Sequence, residues 1–176
     1  MLASQAIPRT ASPTVHLRLV QPIAVRPASC AGAAARVLGA DDLPWLGDRV
    51  AEEPRQRTRR FAVDLGLPAG SDGSRVVLRK AAYVDLGPPS LGAGAVRLPI
   101  GWRAASLAPL FPVFAGHLSV VDGSVVLEGE YAPPGGEVGA AVDRALLNIG
   151  ARRTAVWLLR RVASVLEEGC LASEPR

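Results

Sequence analysis

The chain has 176 residues, a formal net charge of +4 and an apolar fraction of 49%, and only 5% of its residues are aromatic. This length suits one domain with a sizeable core, and no run approaches the ~20 apolar residues of a membrane-spanning helix. Lys80 is the only lysine, so arginine supplies nearly all of the positive charge, which at +4 is modest beside that of dedicated nucleic-acid binders.

The cysteines and the chain ends carry few signals. Cys30 and Cys170 lie far apart and fit neither a metal spacing nor a disulfide framework, so two free thiols in a cytoplasmic protein are expected. Residues 1–13 lack periodicity and the apolar core of a signal peptide, and they are predicted to be a flexible tail. Residues 14–168 are then expected to form a single domain, followed by a C-terminal tail over 169–176.

The first elements are an edge strand and a short helix. Residues 15–20 alternate apolar and polar side chains, and the nearby prolines limit their pairing. An alanine-rich helix is predicted over residues 27–38, with Gly39 as its stop. Trp45 follows in a loop, where we expect it to plug one end of the core, because an exposed indole is costly.

Residues 61–131 read as strands joined by turns. Each strand has one apolar face, while arginine, aspartate or glutamate occupies the alternate positions, which is typical of a half-solvated antiparallel sheet. Asp72-Gly73 and Asp122-Gly123 are hairpin signals. We expect Arg97 or Arg103 to meet Glu128 or Glu130 on the outer face. The predicted strands cover residues 61–67, 75–86, 95–104, 113–121 and 125–131.

The C-terminal stretch is predicted to be helical and to close over the sheet, which makes the fold α+β. The apolar stripe of residues 138–149 lands nearly opposite that of residues 155–166 if the helix is continuous. We therefore predict a break or kink at Gly150, and a second helix from about Arg152 to Glu168.

The densest basic run contains four arginines, Arg55, Arg57, Arg59 and Arg60. A solvated loop or strand edge explains such a run, and a phosphate or RNA contact explains it as well. The sequence leaves both interpretations open.

Several segments together resemble bacterial proteins of the SRPBCC (START/Bet v 1-like) superfamily, which includes polyketide cyclases, lipid-transfer domains and ribosome-association toxins. The resemblance covers about residues 14–168 and is strongest from Val96 to Arg144. The segments that carry it are Leu98-Pro99-Ile100-Gly101-Trp102, Leu110-Phe111-Pro112, Leu118 to Gly123, Leu127 to Gly135, and Gly139 with Val142-Asp143-Arg144.

This resemblance implies a helix-grip fold, in which a curved antiparallel sheet wraps around a long C-terminal helix with a cavity between them. The order of strands and closing helix that the residue patterns predict agrees with it. Apolar inward faces with sparse polar groups suit a pocket for an apolar small molecule, although the same residues can also fill a solid core.

The sequence has no catalytic signature. His16 and His117 are the only histidines, and neither has a cysteine or acidic partner at ligand spacing, so neither a metal nor a cofactor is expected. No serine lies in a nucleophile elbow, and no glycine run fits a phosphate loop. His117 is either a structural histidine or a general base in a cavity.

Three functional hypotheses follow. The first is a non-catalytic module that binds a hydrophobic or amphipathic small molecule, such as a lipid, isoprenoid or polyketide. The others are an aromatase/cyclase-type enzyme with an acid or base in its cavity, and an RNA- or ribosome-associated protein that uses the arginine run. The expected pocket residues are Trp102, Phe114, Tyr131 and Trp157 as walls, with His117 or Arg103 as a polar anchor.

Overall fold

The computed structural model describes residues 14–24, 27–50, 58–69, 75–92, 94–105, 113–132, 152 and 154–169. Both predicted tails and the predicted break at Gly150 lie outside these ranges, apart from Gly169. The same holds for the Asp72-Gly73 turn and for Arg55 and Arg57. None of the helices in the described part of the chain combines the length and the apolar character needed to cross a membrane.

The described elements are eight strands and two helices. Six of these strands and both helices correspond to segments that the residue patterns predict, and the other two strands are short. Their bounds are β1 (Val15–Pro22), α1 (Pro27–Gly39), β2 (Asp48–Val50), β3 (Arg59–Ala69), β4 (Arg75–Leu86), β5 (Ser90–Gly92), β6 (Ala95–Ala104), β7 (Val113–Val121), β8 (Ser124–Ala132) and the C-terminal helix α2, residues 154–169.

All strands belong to one curved antiparallel sheet in the order β1-β8-β7-β6-β4-β3-β2. β1 lies at one edge, as predicted, because β8 is its one partner among the described strands. β4 and β5 both pair with β6, at opposite ends of that strand. Gly87-Pro88-Pro89 separates β4 from β5, since proline has no N–H to donate to a ladder.

The turn between β7 and β8 has the predicted tight geometry. Val121 pairs with Ser124, so the loop consists of Asp122 and Gly123 alone. Both have positive φ, 48° and 71°. Two consecutive positive φ values are the signature of a type I′ turn, whose twist matches that of the flanking strands.

The outer-face charge pairing differs from the prediction. β7 lies between β6 and β8, so Arg97 and Arg103 are not cross-strand neighbours of Glu128 or Glu130. Glu128 instead receives its neighbours from β1: His16 Nε2 lies 3.8 Å and Arg18 Nε 3.9 Å from its carboxylate. The pairing prediction is wrong because the other edge of β8 is occupied by a strand from the start of the chain.

The inner face of the sheet, which the two helices cover, carries the core. The buried side chains of the strands and of both helices form one cluster. On α2 the predicted apolar stripe is buried except for Val165, which is half-buried, and its buried residues are Ala155, Leu158, Leu159, Val162 and Leu166. Glu167 also fixes the end of α2, since its Oε1 accepts a hydrogen bond of 2.7 Å from the backbone N–H of Ala24.

Candidate functional site

Three of the predicted pocket walls lie on the inner face, deep in the core. Trp102, Phe114 and Tyr131 are 3%, 1% and 4% exposed. The rings of Trp102 and Phe114 stack, with centroids 4.1 Å apart and an interplanar angle of 14°. Burial raises the pKa of the Tyr131 phenol above its ordinary value, because desolvation disfavours the charged phenolate.

The two predicted polar anchors lie on the other side of the sheet. His117 alternates with the buried Phe114 and Leu118 and shares the outer face with the exposed Ala115. Arg103 follows the buried Trp102 and lies over the outer-face ring of Tyr83, 5.8 Å from its centroid. Both side chains therefore lie on the face opposite the predicted walls, and their role as polar anchors stays a prediction.

Arg59 and Arg60, the two arginines of the basic run that the structure describes, form contacts with other residues of the same domain. Arg59 is buried and donates hydrogen bonds to the carbonyl oxygens of Leu38, Ala40 and Gly87. Burial lowers the pKa of its guanidinium, and the carboxylate of Asp41 opposes that shift. Arg60 forms a two-point ion pair with Asp85, with its Nε 2.6 Å and its Nη2 3.1 Å from the carboxylate oxygens.

A cleft of about 470 Å³ opens between the β3 end of the sheet, the loop after α1 and helix α2. Its size falls in the range of small-molecule sites, roughly 300–1,000 Å³. Trp157, the fourth predicted wall, lines it, together with Trp45 from the loop and Val63 from β3. Three charged side chains also line it, and they are Asp48, Asp64 and Arg161.

The loop wall of the cleft is held close to the sheet and to α2. Gly47 lies so near β3 that a Cβ added to it would be 2.1 Å from the carbonyl oxygen of Ala62. The backbone carbonyl of Trp45 accepts a hydrogen bond of 3.3 Å from Arg161 Nε. Both contacts set the width of the cleft, since one fixes the loop against β3 and the other against α2.

Trp45 carries a polar atom whose hydrogen-bonding capacity is not met. Its ring is half-buried and packs against the core, as predicted. Its Nε1 is buried and has no hydrogen-bond partner among the described residues. A buried donor without an acceptor costs about 1–3 kcal/mol, so the unpaired indole N–H lowers the stability of the fold.

The charges in the cleft come from different elements. Asp48 and Asp64 belong to β2 and β3, and their side chains are exposed. Arg161 belongs to α2, and among the described residues its terminal guanidinium nitrogens have no hydrogen-bond or ion-pair partner. The described residues contain no cluster of three or more histidine, cysteine, aspartate or glutamate side chains that could hold a metal ion.

Of the residues that line this cleft, the sequence predicts Trp157 alone as part of a pocket. Trp157 stands off the aliphatic stripe of α2, and that offset is a readable signal. Trp45 is predicted only as a plug, and Asp48, Asp64 and Arg161 are not singled out. Alternation and helical spacing give the face of each element, but they do not tell which loop approaches which helix.

No family model matches the sequence, and no curated protein matches it. Among solved structures, the fold is similar to that of the di-domain ARO/CYC BexL from the BE-7585A biosynthetic pathway, with a TM-score of 0.52 and 13% identity. That match covers 93% of this chain and 51% of BexL, so the chain spans about half the length of the di-domain protein. At this identity the likeness establishes a shared α+β fold, which agrees with the helix-grip-like architecture that the sequence predicts.

Two further structures show lower similarity. A protein from Thermus thermophilus matches with a TM-score of 0.44 and 14% identity, over 93% of this chain and 100% of that one. The di-domain ARO/CYC StfQ from the steffimycin biosynthetic pathway matches with a TM-score of 0.36 and 17% identity, over 90% of this chain and 48% of StfQ.

Proposed function

We propose that this protein binds a hydrophobic or amphipathic small molecule in the cleft between β3 and α2, as a non-catalytic binding module. The observation that carries the proposal is the cleft itself, about 470 Å³ in volume and flanked by the indoles of Trp45 and Trp157. Two large apolar rings with a few polar groups beside them are typical of sites that bind such molecules.

The site in this proposal differs from the one predicted from the sequence. Trp102, Phe114 and Tyr131 are nearly inaccessible, so they serve here as packed core beneath the sheet's inner face. Trp157 remains as a lining residue, and Trp45 joins it. The cleft lies beside α2 at the β2–β3 edge of the sheet, whereas the helix-grip resemblance implies a cavity between the sheet and that helix.

An aromatase/cyclase-type enzyme is the second candidate, and the shared fold with BexL is the observation that favours it. Such an enzyme needs an acid or base that reaches the bound molecule. His117 is on the outer face, and the cleft offers the carboxylates of Asp48 and Asp64 instead. If either acted in catalysis, its replacement by asparagine would abolish turnover but leave ligand affinity nearly unchanged.

The RNA-associated alternative receives less support. Arg59 and Arg60 use their charge for contacts within the domain. The outer face also mixes signs, since it carries Glu128, Glu130 and Asp85 as well as arginines. A steep dependence of RNA affinity on salt is the property that would revive this alternative.

A ligand screen tests the binding proposal. Delipidated protein is heated with fatty acids, isoprenoids and polyketides, and a cognate ligand is expected to raise the melting temperature by mass action. Trp157→Ala removes one wall and is expected to abolish the shift. Leu91→Ala, which removes an exposed apolar side chain outside the cleft, is expected to keep it. No shift with any compound, or equal shifts in the two variants, would contradict the proposal.

A further inference from the structure

We propose that β1 pairs in antiparallel orientation with β1 of a second copy of this chain, so that the two sheets join into one. The proposal goes beyond the binding function and concerns the opposite end of the sheet. The cleft lies at the β2–β3 edge, whereas β1 forms the other edge. Such a dimer therefore leaves both clefts open.

The β1 edge lacks most of the features that keep edge strands from pairing with another chain. Edge strands are commonly short, bulged or provided with inward-pointing charges. β2, at the other edge, has three residues, whereas β1 has eight and pairs with β8 in one unbroken register. The inward-facing residues of β1 are uncharged: Val15, Leu17, Leu19 and Gln21. Among the described strands and α1, β8 is the one element that contacts β1.

The backbone groups that point away from β8 can be identified from the ladder. Ile23 directly follows β1, and its N–H donates a hydrogen bond of 2.9 Å to the carbonyl oxygen of Gly123, directly before β8. Residues of an antiparallel pair alternate between those that bond across the pair and those that do not. The N–H and C=O groups of His16, Arg18 and Val20 therefore point towards the open edge, where a further strand can pair with them.

The side chains on the outer face of β1 permit this pairing. Arg18 is the strand's one permanently charged residue, and its Nε lies 3.9 Å from the carboxylate of Glu128 on its own sheet. The charge that opposes association at an edge is thus partly neutralised within each copy. Val20 is 50% exposed, so apolar surface is available beside the open backbone groups.

Charge and apolar contact favour one register of the two strands. If Arg18 lay opposite Arg18 of the second copy, two like charges would face each other, which is destabilising. A shift by one residue in each strand places Arg18 opposite Val20 of the second copy, and Val20 opposite its Arg18. The two Leu19 side chains then meet on the inner face at the twofold axis. Pro22, which has no N–H to donate, lies near the end of the paired region.

The dimer is expected to be weak, because one strand pair buries less than the roughly 1,200–2,000 Å² of a standard interface. A dissociation constant on the order of 10–100 µM is expected. Sedimentation velocity of the full chain over a range of concentrations measures it. The expected result is a shift from monomer to dimer as concentration rises, with no larger species, since pairing uses up the β1 edge of both copies.

Two variants of Val20 test the backbone contact. Val20→Pro removes an N–H that points away from β8, so the ladder within the chain is retained. It is expected to raise the dissociation constant at least about tenfold, whereas its urea midpoint at low concentration stays close to that of wild type. Val20→Thr, the matched control, keeps the N–H and the β-branched shape, and it is expected to change the dissociation constant less than about threefold.

Hydrogen exchange of single amides, measured by NMR below and above the dissociation constant, gives a second readout. Protection of the Arg18 and Val20 amides is expected to rise with concentration, whereas the Leu17 and Leu19 amides, which bond to β8, are protected throughout. If Val20→Pro does not fold, this measurement on wild type decides alone.

Three results would overturn the proposal: a chain that stays monomeric, a dimer that Val20→Pro leaves intact, or Arg18 and Val20 amides already protected in the monomer. The last would mean that the edge is occupied from within the chain. None of these results concerns ligand binding, which the melting-temperature screen tests separately.

Discussion

The guanidinium of Arg59 donates a hydrogen bond of 2.8 Å from Nη2 to the carbonyl oxygen of Leu38, in the last turn of α1. It also donates to Ala40 and Gly87. The last carbonyls of a helix lack partners within the helix and carry its negative dipole end, so a cation there is stabilising. One buried side chain thus joins α1, β3 and the β4–β5 corner.

Replacing Arg59 by methionine is expected to lower the free energy of unfolding by about 2–4 kcal/mol. This range follows because hydrogen bonds from charged groups contribute about 1.5–3 kcal/mol and their loss leaves buried carbonyls unpaired. Urea unfolding followed by circular dichroism measures the change. Arg97→Met, at an exposed position of β6, is the control and is expected to change the free energy by less than about 0.5 kcal/mol. Equal stability of the two variants would contradict a structural role for Arg59.

Ionisation of Tyr131 is expected to destabilise the fold in alkaline solution. Burial raises the pKa of its phenol in the folded state above its ordinary value near 10.0. As pH rises past that value, the unfolded chain loses the proton first, so the contribution of Tyr131 to stability is complete below about pH 10 and is lost above it. Tyr131→Phe is expected to flatten this fall in the free energy of unfolding, and Tyr83→Phe is expected to retain it. An identical slope in wild type and Tyr131→Phe would contradict the prediction.

Much of the fold is predictable because the local patterns are strong. Alternation in β6 predicts that Trp102 faces inward and Arg103 outward. In the structure Trp102 is buried and Arg103 is exposed, as predicted. The same rule places His117 opposite Phe114 and Leu118 in β7. His117 and Arg103, the two predicted polar anchors, therefore lie on the face opposite the predicted aromatic walls.

The cleft is less predictable, because it depends on contacts between distant segments. Trp45 and Arg161 are 116 positions apart, yet one hydrogen bond joins them. Arg59 shows the same limit: a basic run is typical of a solvated surface, but Arg59 donates to the carbonyls of Leu38 in α1 and Ala40 just after it, about twenty residues earlier. Likewise, Glu128 lies beside Arg18 only because β1 occupies the outer edge of β8.

A side chain at Gly116 is expected to be poorly tolerated. Gly116 faces Gly129 across β7 and β8. A Cβ added at Gly116 would lie 2.3 Å from the carbonyl oxygen of Glu128 and 2.8 Å from the ring of Phe114. The first of these is backbone, so the clash cannot be relieved by a rotamer change. Gly116→Ala is therefore expected to lower the free energy of unfolding by about 2 kcal/mol or more.

Gly92→Ala is the matched control for Gly116→Ala. A Cβ at Gly92 meets no heavy atom within 4 Å, and Gly92 also lies in a strand, β5. Its replacement is expected to change stability by less than about 0.5 kcal/mol. Urea unfolding curves of the two alanine variants would contradict the account if their midpoints coincided.

Trp45→Phe is expected to be far less destabilising than Trp102→Phe, although both remove the same atoms. Trp102 is 3% exposed and stacks on Phe114, so the smaller ring leaves a void and the free energy of unfolding is expected to fall by about 1–3 kcal/mol. At Trp45 the lost packing is offset by removal of the unpaired buried N–H, whose cost is of similar size. A net change below about 0.5 kcal/mol is expected in thermal and urea unfolding of the ligand-free protein. If Trp45→Phe proves as destabilising as Trp102→Phe, then Nε1 has an acceptor in solution, and the cost assigned here to the unpaired N–H is refuted.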